Sequence, residues 1–293
     1  MQLDRFAFVI LHYLDFEMTK QCVESILKNI AYDNYNIVIV DNASPNKSGE
    51  KLSSVYADDK RIKVILHKAN DGFAKGNNIG YAYAKDTLNA DYIICVNNDV
   101  LMNQENLLQR IISVTERTKC AVLGPDILSL DGQKQSPRRQ NRLTENDVTK
   151  ELMRKKLTLQ YFKWKKYLFP IPCVEKTYQK ASKKRVMDRS VDGEKEDIVL
   201  LGACIIYCPK FVKNEKYAFS PKTFMYGEED LLAWYCYRKS YKVIYSPEIS
   251  IIHLGEVSTK MSTKSEVDKM IFLYKYMIEG LQLLKKEMKQ PGR

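Results

Sequence analysis

The chain has 293 residues, of which 45% are hydrophobic and 28% charged, and its formal net charge at pH 7 is +11. This composition is typical of a soluble protein with a sizeable core, and no apolar run approaches the ~20 residues that a membrane-spanning helix needs. The seven cysteines include no C-x-x-C pair and there are only three histidines, so we expect reduced thiols in a cytoplasmic protein, without a zinc site or a disulfide framework.

The first 125 residues alternate between strand and helix patterns. The strand-like runs are "RFAFVILHY", "YNIVIV", "RIKVILH", "DYIICVN" and "CAVLGP", and the helix-like runs are "FEMTKQCVESILKNI", "KSGEKLSSVYA", "FAKGNNIGYAYAKD" and "NQENLLQRIISVTER". The first strand follows Asp4 and lacks a cleavage-site pattern, so we do not interpret it as a signal peptide. The alternation predicts an α/β fold with a doubly wound, mostly parallel sheet flanked by helices, in which ligands bind beyond the carboxyl ends of the strands.

The second half of the chain breaks this pattern and then returns to it. Residues 131–197 are polar, basic and poor in strands, and we predict a partly irregular insertion there. From Ile198 onward "IVLLGACIIYC" predicts a strand or strand pair, "GEEDLLAWYCYRKS" a helix, and "KVIYSP" and "ISIIH" two strands. We therefore expect one domain at 1–260 and an amphipathic C-terminal helix at 261–293.

The positive charge is concentrated in this insertion. Residues 138–189 hold 16 Lys and Arg against five Asp and Glu, an excess as large as that of the whole chain. Such a segment indicates an anionic partner, which could be a membrane surface, a nucleic acid or a phosphorylated substrate.

Polar residues end two of the predicted strands. Asn97, Asn98 and Asp99 follow an apolar run, and a carboxylate there suits a hard divalent cation that holds a diphosphate. Asp41 ends another strand, where it could accept a hydrogen bond from a base N–H. Both acids could instead be ordinary turn or capping residues.

The segment "NDGFAKGNNIG" places glycines at every fourth position. Gly72 can open a turn whose backbone amides meet an anion, whereas Gly76 and Gly80 on one helical face allow close approach. Tight packing alone would also explain these glycines. Neither a Walker loop nor a dinucleotide fingerprint is present, which disfavours a kinase and an NAD enzyme. We assign Asn70, Gly72, Gly76 and Asn77 to the candidate ligand-binding set.

Two further groups complete the candidate site. Glu228, Glu229 and Asp230 open a predicted helix, whose dipole favours an ionised general base, although acids are common in first turns. His253 ends a strand, where it could contact a metal or phosphate or be structural.

Taken in order, these motifs resemble the family 2 glycosyltransferases, which have the GT-A fold. The matching segments are "FVILHY", "VDNAS", "NDGFAKGNNIG", "VNNDV", "LGPDIL", "LGACIIY", "FMYGEED" and "IIHLGEVST", and they span roughly residues 5 to 260. The subset most similar to this chain makes bacterial surface polysaccharides and includes rhamnosyltransferases.

The resemblance implies a role for each candidate residue. Asp41 and the backbone near His12 and Tyr13 would hold the nucleotide base, and Asn97 and Asn98 would lie by the ribose and diphosphate.

The metal follows from the same comparison of motifs. Asp99 matches the last position of the D-x-D motif and would bind Mn²⁺ or Mg²⁺. His253 matches a position that often completes metal or diphosphate binding.

The resemblance also implies an inverting displacement by a general base. Counted from Tyr226 the base is Glu229, whereas Asp230 is the more usual residue type but lies one place late. The family's Arg and Gly further along are replaced here by Tyr235 and Ser240.

Alternative functions are a sugar-phosphate nucleotidyltransferase and a basic nucleic-acid-binding protein. The first would want a glycine-rich basic loop after the first strand, which "LHYLDFEM" lacks. The second leaves the acidic and glycine motifs unexplained, so we expect no nucleic-acid partner. We expect a nucleotide-sugar donor, a glycan or lipid-linked acceptor and contact with the inner face of the plasma membrane. A homo-oligomer stays open.

Overall fold

The structure is a computed structural model that describes residues 3–168, 191–255 and 265–290. The strands are β1 Phe6–His12, β2 Tyr35–Asp41, β3 Ile62–Leu66, β4 Tyr92–Asn97, β5 Val100–Met102, β6 Val122–Leu128, β7 Lys195–Glu196, β8 Cys204–Tyr207 and β9 Val243–His253. The helices are α1 Phe16–Asn29, α2 Ser48–Val55, α3 Gly72–Ala82, which continues as a π-helical turn Tyr83–Thr87, α4 Leu107–Thr118, α5 Glu145–Leu168, α6 Pro209–Asn214, α7 Glu228–Arg238 and α8 Glu266–Met288.

The described strands form one sheet in the order β3-β2-β1-β4-β8-β6-β9-β5, with β7 beside β9. Strands β1 to β4 pair in parallel, as do β6 and β9, whereas β8 runs antiparallel to both of its neighbours. This confirms the predicted mixed α/β fold with a mostly parallel sheet and flanking helices.

Alternation along the strands produces two apolar cores, one on each face of the sheet. Phe6, Phe8 and Ile10 of β1 face α1, α2 and α4, and Ala7 and Val9 between them face α3 and α6. Successive residues of a strand point to opposite faces, so both faces of a central strand must be apolar when helices cover both.

The insertion predicted to be partly irregular contains the long helix α5, and its residues 169–190 lie outside the described part of the chain. Val148 and Leu152 of α5 are buried against Ile278, Leu281 and Leu284 of the tail helix α8. The tail therefore packs on the rest of the chain. Among the described residues no helix is both long and apolar enough to cross a bilayer.

One predicted division between strands was wrong. "KVIYSP" and "ISIIH" form one strand, β9, whose pairing with β6 shifts register between Pro125 and Asp126, opposite Ser246 and Ser250. A β-bulge absorbs the extra residues that include Pro247, which cannot donate to the ladder. In "IVLLGACIIYC" only β8 is a strand, and Val199 makes an isolated bridge to Arg139.

Candidate functional site

The carboxyl ends of three neighbouring strands meet at one edge of the sheet. His12 of β1 is in register with Asp41 of β2, and Leu11 of β1 with Asn97 of β4. The structure thus brings together the strand-end residues assigned to the nucleotide and diphosphate. Tyr13, directly after β1, is 37% exposed at this edge.

His12 is fully buried and acts through hydrogen bonds rather than through contact with solvent. Its Nδ1 lies 2.7 Å from Thr19 Oγ1 and its Nε2 lies 2.8 Å from Ser48 Oγ. Burial lowers the pKa of His12, although the nearby Asp41 carboxylate acts in the opposite direction. The neutral ring therefore links the ends of α1 and α2 beneath the site.

Asn98 joins the same network. Its Nδ2 donates to Thr19 Oγ1 over 3.1 Å, and the residue is buried. The middle residue of the polar triplet is thus tied to α1, which fixes the turn between β4 and β5.

Asp41 is buried within its own turn. Its carboxylate accepts from the hydroxyl of Ser44 over 2.5 Å and from the backbone N–H of Ser44 over 3.3 Å. A Cβ on Gly49 would lie 2.3 Å from the Asp41 Cγ, so α2 can approach only because Gly49 has no side chain. These contacts agree with the interpretation of Asp41 as a turn residue. That Asp41 also binds the nucleotide base stays a prediction.

Asn42, which the sequence analysis did not single out, fixes the entrance to α3. Its Nδ2 donates to Asn70 Oδ1 over 2.9 Å, and its Oδ1 accepts from the N–H of Asp71 over 3.2 Å. Asn70 Oδ1 also accepts from the N–H of Gly72 over 3.1 Å. Because Asn42 directly follows Asp41, this clamp holds the glycine-rich turn beside the end of β2.

The remaining residues of the glycine-rich segment serve helix packing. A Cβ on Gly76 would lie 2.4 Å from Leu11 Cδ1, and one on Gly80 would lie 2.3 Å from Val9 Cγ1. Asn77 is buried and its Nδ2 donates to the carbonyl of Phe73 one turn earlier over 3.0 Å. The structure therefore gives Gly76 and Asn77 contacts inside the fold, and their role in donor binding stays untested.

Asp99 and His253 meet although they are far apart in the sequence. Val100 of β5 pairs with His253 of β9, and the N–H of Leu254 donates to the carbonyl of Asp99 over 2.9 Å. His253 Nε2 consequently lies 3.3 Å from Asp99 Oδ1. On the other side of the ring, Nδ1 lies 2.6 Å from Gln135 Oε1.

This arrangement suits a divalent cation. An amide oxygen only accepts, so Nδ1 carries the proton, and in a neutral ring the lone pair of Nε2 faces the Asp99 carboxylate. Two electron-rich atoms facing each other offer a cation an oxygen and a nitrogen ligand. No group of three or more His, Cys, Asp or Glu side chains suited to a metal occurs in the described residues, so water or substrate oxygens would complete the coordination.

Two arginines from the start of the basic segment hold the acids of α7. Arg138 Nη1 donates to Glu229 Oε1 over 3.2 Å, and Arg139 donates to Asp230 Oδ1. The Asp230 side chain is 6% exposed and that of Glu229 is 13% exposed. Glu229 is the more accessible of the two acids and is bound by one arginine, whereas Asp230 is also 3.8 Å from Arg138.

Glu228 differs from its two neighbours because no arginine contact is seen at its carboxyl group in the described residues. Its Oε1 is buried without a hydrogen-bond partner there. Burial, helped by the charge of Glu229, raises the pKa of Glu228 to about 7. Near neutral pH the acidic turn therefore carries less negative charge than three carboxylates would suggest.

One short segment connects the strand-end residues with the acids. The N–H of Asn97 donates to the carbonyl of Ala203 over 2.9 Å. The neighbouring Gly202 lies against Glu229, because a Cβ there would be 3.0 Å from Glu229 Oε1. The "LGAC" segment before β8 thus places Glu229 next to the end of β4.

The loop before α7 is fixed to α3. The N–H of Phe73 donates to the carbonyl of Phe224 over 2.7 Å, and Gly72, with φ +83°, leaves that carbonyl room. Asn78 and Phe219 exchange two hydrogen bonds of 2.8 and 3.0 Å. The glycine-rich helix therefore positions the acidic turn as well as the edge of the sheet.

The tail helix contacts the acidic turn directly. Tyr226 and Gly227, just before Glu228, have φ values of +67° and +97°. A Cβ on Gly280 of α8 would lie 2.5 Å from the Tyr226 carbonyl oxygen. A non-glycine residue with positive φ is disfavoured, so this packing helps to hold Tyr226 in place.

The fold and these contacts define the class of protein. A mixed α/β sheet with polar strand ends, a strand-end carboxylate and an acidic helix start has the architecture of a GT-A glycosyltransferase. The family model for glycosyl transferase family 2 matches residues 7–178, more than half of the chain. The protein belongs to that family, as its motifs predicted.

Individual relatives agree with this assignment. The chain is 32% identical over 105 residues to the glycosyltransferase GlyG of Streptococcus pneumoniae. The aligned segment covers 36% of this chain and 33% of GlyG. Over 130 residues it is 28% identical to the low-salt glycan biosynthesis hexosyltransferase Agl10 of Haloferax volcanii, covering 44% and 39%. The aligned part thus spans between a third and two fifths of these relatives.

A solved structure has the same fold. The crystal structure of an S. aureus TarS fragment in complex with UDP-GlcNAc matches with a TM-score of 0.56 and 14% identity, covering 97% of this chain and 66% of that one.

Proposed function

We propose that the protein transfers a sugar from a nucleotide-sugar donor to a hydroxyl group of a glycan or lipid-linked acceptor. The observation that carries the proposal is the junction at Gly202 and Ala203, which joins the polar end of β4 to Glu229. Donor-side and acceptor-side chemistry need this proximity, because a displacement requires both substrates within bonding reach. Membership of the family and the similarity to a UDP-GlcNAc-bound fold make UDP-sugars the first donors to test.

The donor would lie along the edge formed by β1, β2 and β4. The exposed Tyr13 ring offers a surface for the base, while Asp41 and Asn97 lie at the ends of the strands on either side of β1. Asn42, Asn70 and the amide of Gly72 keep the adjacent turn in a fixed shape.

Asp99 and His253 would hold a divalent cation. A carboxylate oxygen and an imidazole nitrogen suit Mn²⁺ better than Mg²⁺, which prefers oxygen ligands. When bound, the cation would supply positive charge beside the leaving diphosphate. Gln135 keeps the proton on His253 Nδ1, and this leaves Nε2 available as a ligand.

Glu229 would act as the general base. It is more accessible than Asp230, and its carboxylate contacts a single arginine, Arg138. Asp230, bound by Arg139 and close to Arg138, would position the start of α7. Burial raises the pKa of Asp230 in spite of the two arginines. A carboxyl group buried to this extent fits a structural role better than contact with substrate.

The reaction would be a single inverting displacement. Glu229 takes the proton of the acceptor hydroxyl as that oxygen forms a bond to the anomeric carbon. The bond from this carbon to the diphosphate oxygen breaks, and the electron pair leaves with the nucleoside diphosphate. Attack from the face opposite the leaving group inverts the anomeric configuration.

The relatives suggest where such a reaction belongs. The name of Agl10 refers to glycan biosynthesis, and the motif series resembles enzymes of bacterial surface polysaccharides. We infer that the protein works in a comparable pathway on the cytoplasmic side of the membrane.

The test separates donor binding from transfer. Nucleotide sugars are screened by thermal shift with and without Mn²⁺, and the donors that stabilise the wild type are then used with Glu229→Gln and Asp230→Asn. We expect Glu229→Gln to keep the donor-induced shift but to abolish transfer, because the base acts on the acceptor. Asp230→Asn should lower the melting temperature and retain measurable transfer.

Other outcomes would contradict parts of the proposal. Full transfer by Glu229→Gln together with its loss in Asp230→Asn would reverse the base assignment. Absence of any nucleotide-sugar shift, with a shift from nucleoside triphosphate and sugar phosphate, would favour a nucleotidyltransferase instead. Retention of the anomeric configuration in the product, read by NMR, would exclude the single displacement.

A further inference from the structure

Helix α5 has an exposed apolar stripe on the side opposite its packed face. The stripe consists of Met153, Leu157, Tyr161 and Trp164, which are 57%, 73%, 41% and 62% exposed. At 3.6 residues per turn these four side chains fall within an arc of about 80° of the helix surface. Val148, Leu152 and Phe162, which are buried, lie on the other side. The pattern is hard to see in the sequence because apolar residues occupy both sides of the helix.

Cations flank the stripe along its whole length. The helical positions place Lys156 and Lys163 on one side of it and Arg154 and Lys165 on the other. From Lys150 to the end of α5 there are seven Lys and Arg and one acid, Glu151. That acid is paired with Arg154 over 2.6 Å.

We propose that the stripe on α5 is a membrane-binding surface that lies in the headgroup region of an anionic bilayer. Aliphatic side chains with a Trp and a Tyr, bordered by basic residues, are typical of helices that lie in the plane of the interface. The charge also disfavours a second copy of the chain as occupant, because two such faces would bring like charges together.

The contacts of α5 make this surface relevant to the acidic turn. Leu231 of α7 belongs to the same apolar cluster as Val148 of α5 and Leu281 of α8. A bilayer bound to α5 would therefore contact an element that packs directly on the helix bearing Glu229. The proposal does not depend on the proposed function. Vesicle binding is measured without donor or acceptor, so it can fail or succeed independently of sugar transfer.

The contacts of α5 decide which of its cations can be substituted in a test. Lys166 donates to Asp268 of α8 over 2.6 Å, so its substitution would disturb the packing of the tail. The informative variants are the double substitution Leu157→Ser with Trp164→Ser and the double substitution Lys156→Gln with Lys163→Gln. Matched controls elsewhere are Val55→Ser, which is 50% exposed, and Lys60→Gln with Lys63→Gln, both exposed.

Binding is measured by co-sedimentation of the full chain with vesicles of phosphatidylcholine alone or mixed with phosphatidylglycerol. We expect binding to the anionic vesicles, weaker binding at high salt and little binding to the neutral ones. Each cation removed should weaken binding about fivefold, and loss of Leu157 and Trp164 should weaken it roughly tenfold or more. The controls should bind like the wild type.

Trp164 gives a second, independent readout. The chain has two tryptophans, so Trp234→Phe leaves Trp164 as the reporter. Its emission should shift to the blue, and become protected from acrylamide, only when anionic vesicles are present.

Three results would overturn the proposal. The lysine variant could lose binding while the Leu157 and Trp164 variant keeps it, which would mean that the stripe does not touch lipid. The Trp164 emission could already be blue-shifted and protected without vesicles, which would mean that another part of the chain or a second copy covers the stripe. Equal binding to neutral and anionic vesicles would exclude the role of the cations.

Discussion

The contact between the tail helix and the acidic turn predicts that Gly280→Ala impairs catalysis from outside the site. The new Cβ would lie 2.5 Å from the carbonyl oxygen of Tyr226, whereas ordinary contacts begin near 3.4 Å. Roughly 0.9 Å of separation must therefore open between α8 and the turn, since a packed interior has no void to absorb it. Tyr226 and Gly227 lead directly into α7, so the displacement reaches Glu229.

The expected effects differ for stability and for rate. Overpacking of this size costs about 1–3 kcal/mol of unfolding free energy. A misplacement of about 1 Å at catalytic groups can lower the turnover rate ~100-fold. Because the strand ends that would bind the donor are held by Asn42 and His12 instead, donor affinity should change little.

The assay compares initial rates of sugar transfer, donor binding and melting temperature for Gly280→Ala and for the neighbouring control Glu279→Ala. Glu279 is exposed, so the control adds no steric contact. A lower melting temperature with an unchanged kcat in Gly280→Ala would refute the idea that α8 positions the acids. An equal loss of kcat in Glu279→Ala would show that the effect is not steric.

Three further predictions follow from the site. Asp99→Asn should abolish the thermal shift produced by Mn²⁺ and donor together while the melting temperature without ligand barely moves; a persisting Mn²⁺ shift would contradict the ligand assignment. Glu228 has a pKa of about 7, above its ordinary value of 4.5, so its burial destabilises the protein progressively as pH rises through that window. Glu228→Gln should therefore stabilise the protein more at about pH 8 than at about pH 5, and the difference in unfolding free energy should reach up to about 3 kcal/mol. The gain in melting temperature should be larger at the higher pH, and a gain that does not depend on pH would contradict this. Asn42→Ala should cost about 1 kcal/mol of unfolding free energy, because the N–H of Asp71 and the Oδ1 of Asn70 each lose a hydrogen bond while Asn70 keeps the one from Gly72. Asn36→Ala, near the surface of β2, should cost less when both variants are compared by denaturant titration.

The sheet could be predicted because its central strands have a simple signal. β1, β2 and β4 are continuous apolar runs that end on polar residues, as strands covered on both faces must be. Helix α5 was not predicted because apolar residues lie on two opposite sides of it. A helix of this kind has no single apolar face and therefore lacks the periodic pattern by which an amphipathic helix is recognised. The sequence pattern predicts two strands in place of β9, because a proline such as Pro247 usually ends a strand. Only the pairing with β6 shows that Pro247 lies in a β-bulge within one strand.

The positions of the candidate site residues were predictable where a local motif marks the end of a strand or the start of a helix. Asp99, Glu229 and His253 all stand at the ends of predicted elements, and the contact between Asp99 and His253 follows from the pairing of β5 with β9. The ion pairs of Arg138 with Glu229 and of Arg139 with Asp230 could not be predicted. In each pair 91 residues separate the partners, and no local sequence pattern marks them. Asn42 was overlooked because its role depends on Asn70, which the chain brings back only after β3.

The packing of α8 also bears on how the protein is made. Lys285 of α8 donates to Thr149 of α5, which lies 136 residues earlier in the chain. During translation the sheet and α7 leave the ribosome before α8 does, so the nascent chain has its acids but not the helix that fixes their turn. Such late closure of a long-range contact is slow compared with local folding and leaves the apolar sides of α5 and α7 uncovered in the meantime. Ribosome-bound chains stalled before Glu266 should therefore recruit chaperones more strongly than those stalled after Met288 has emerged.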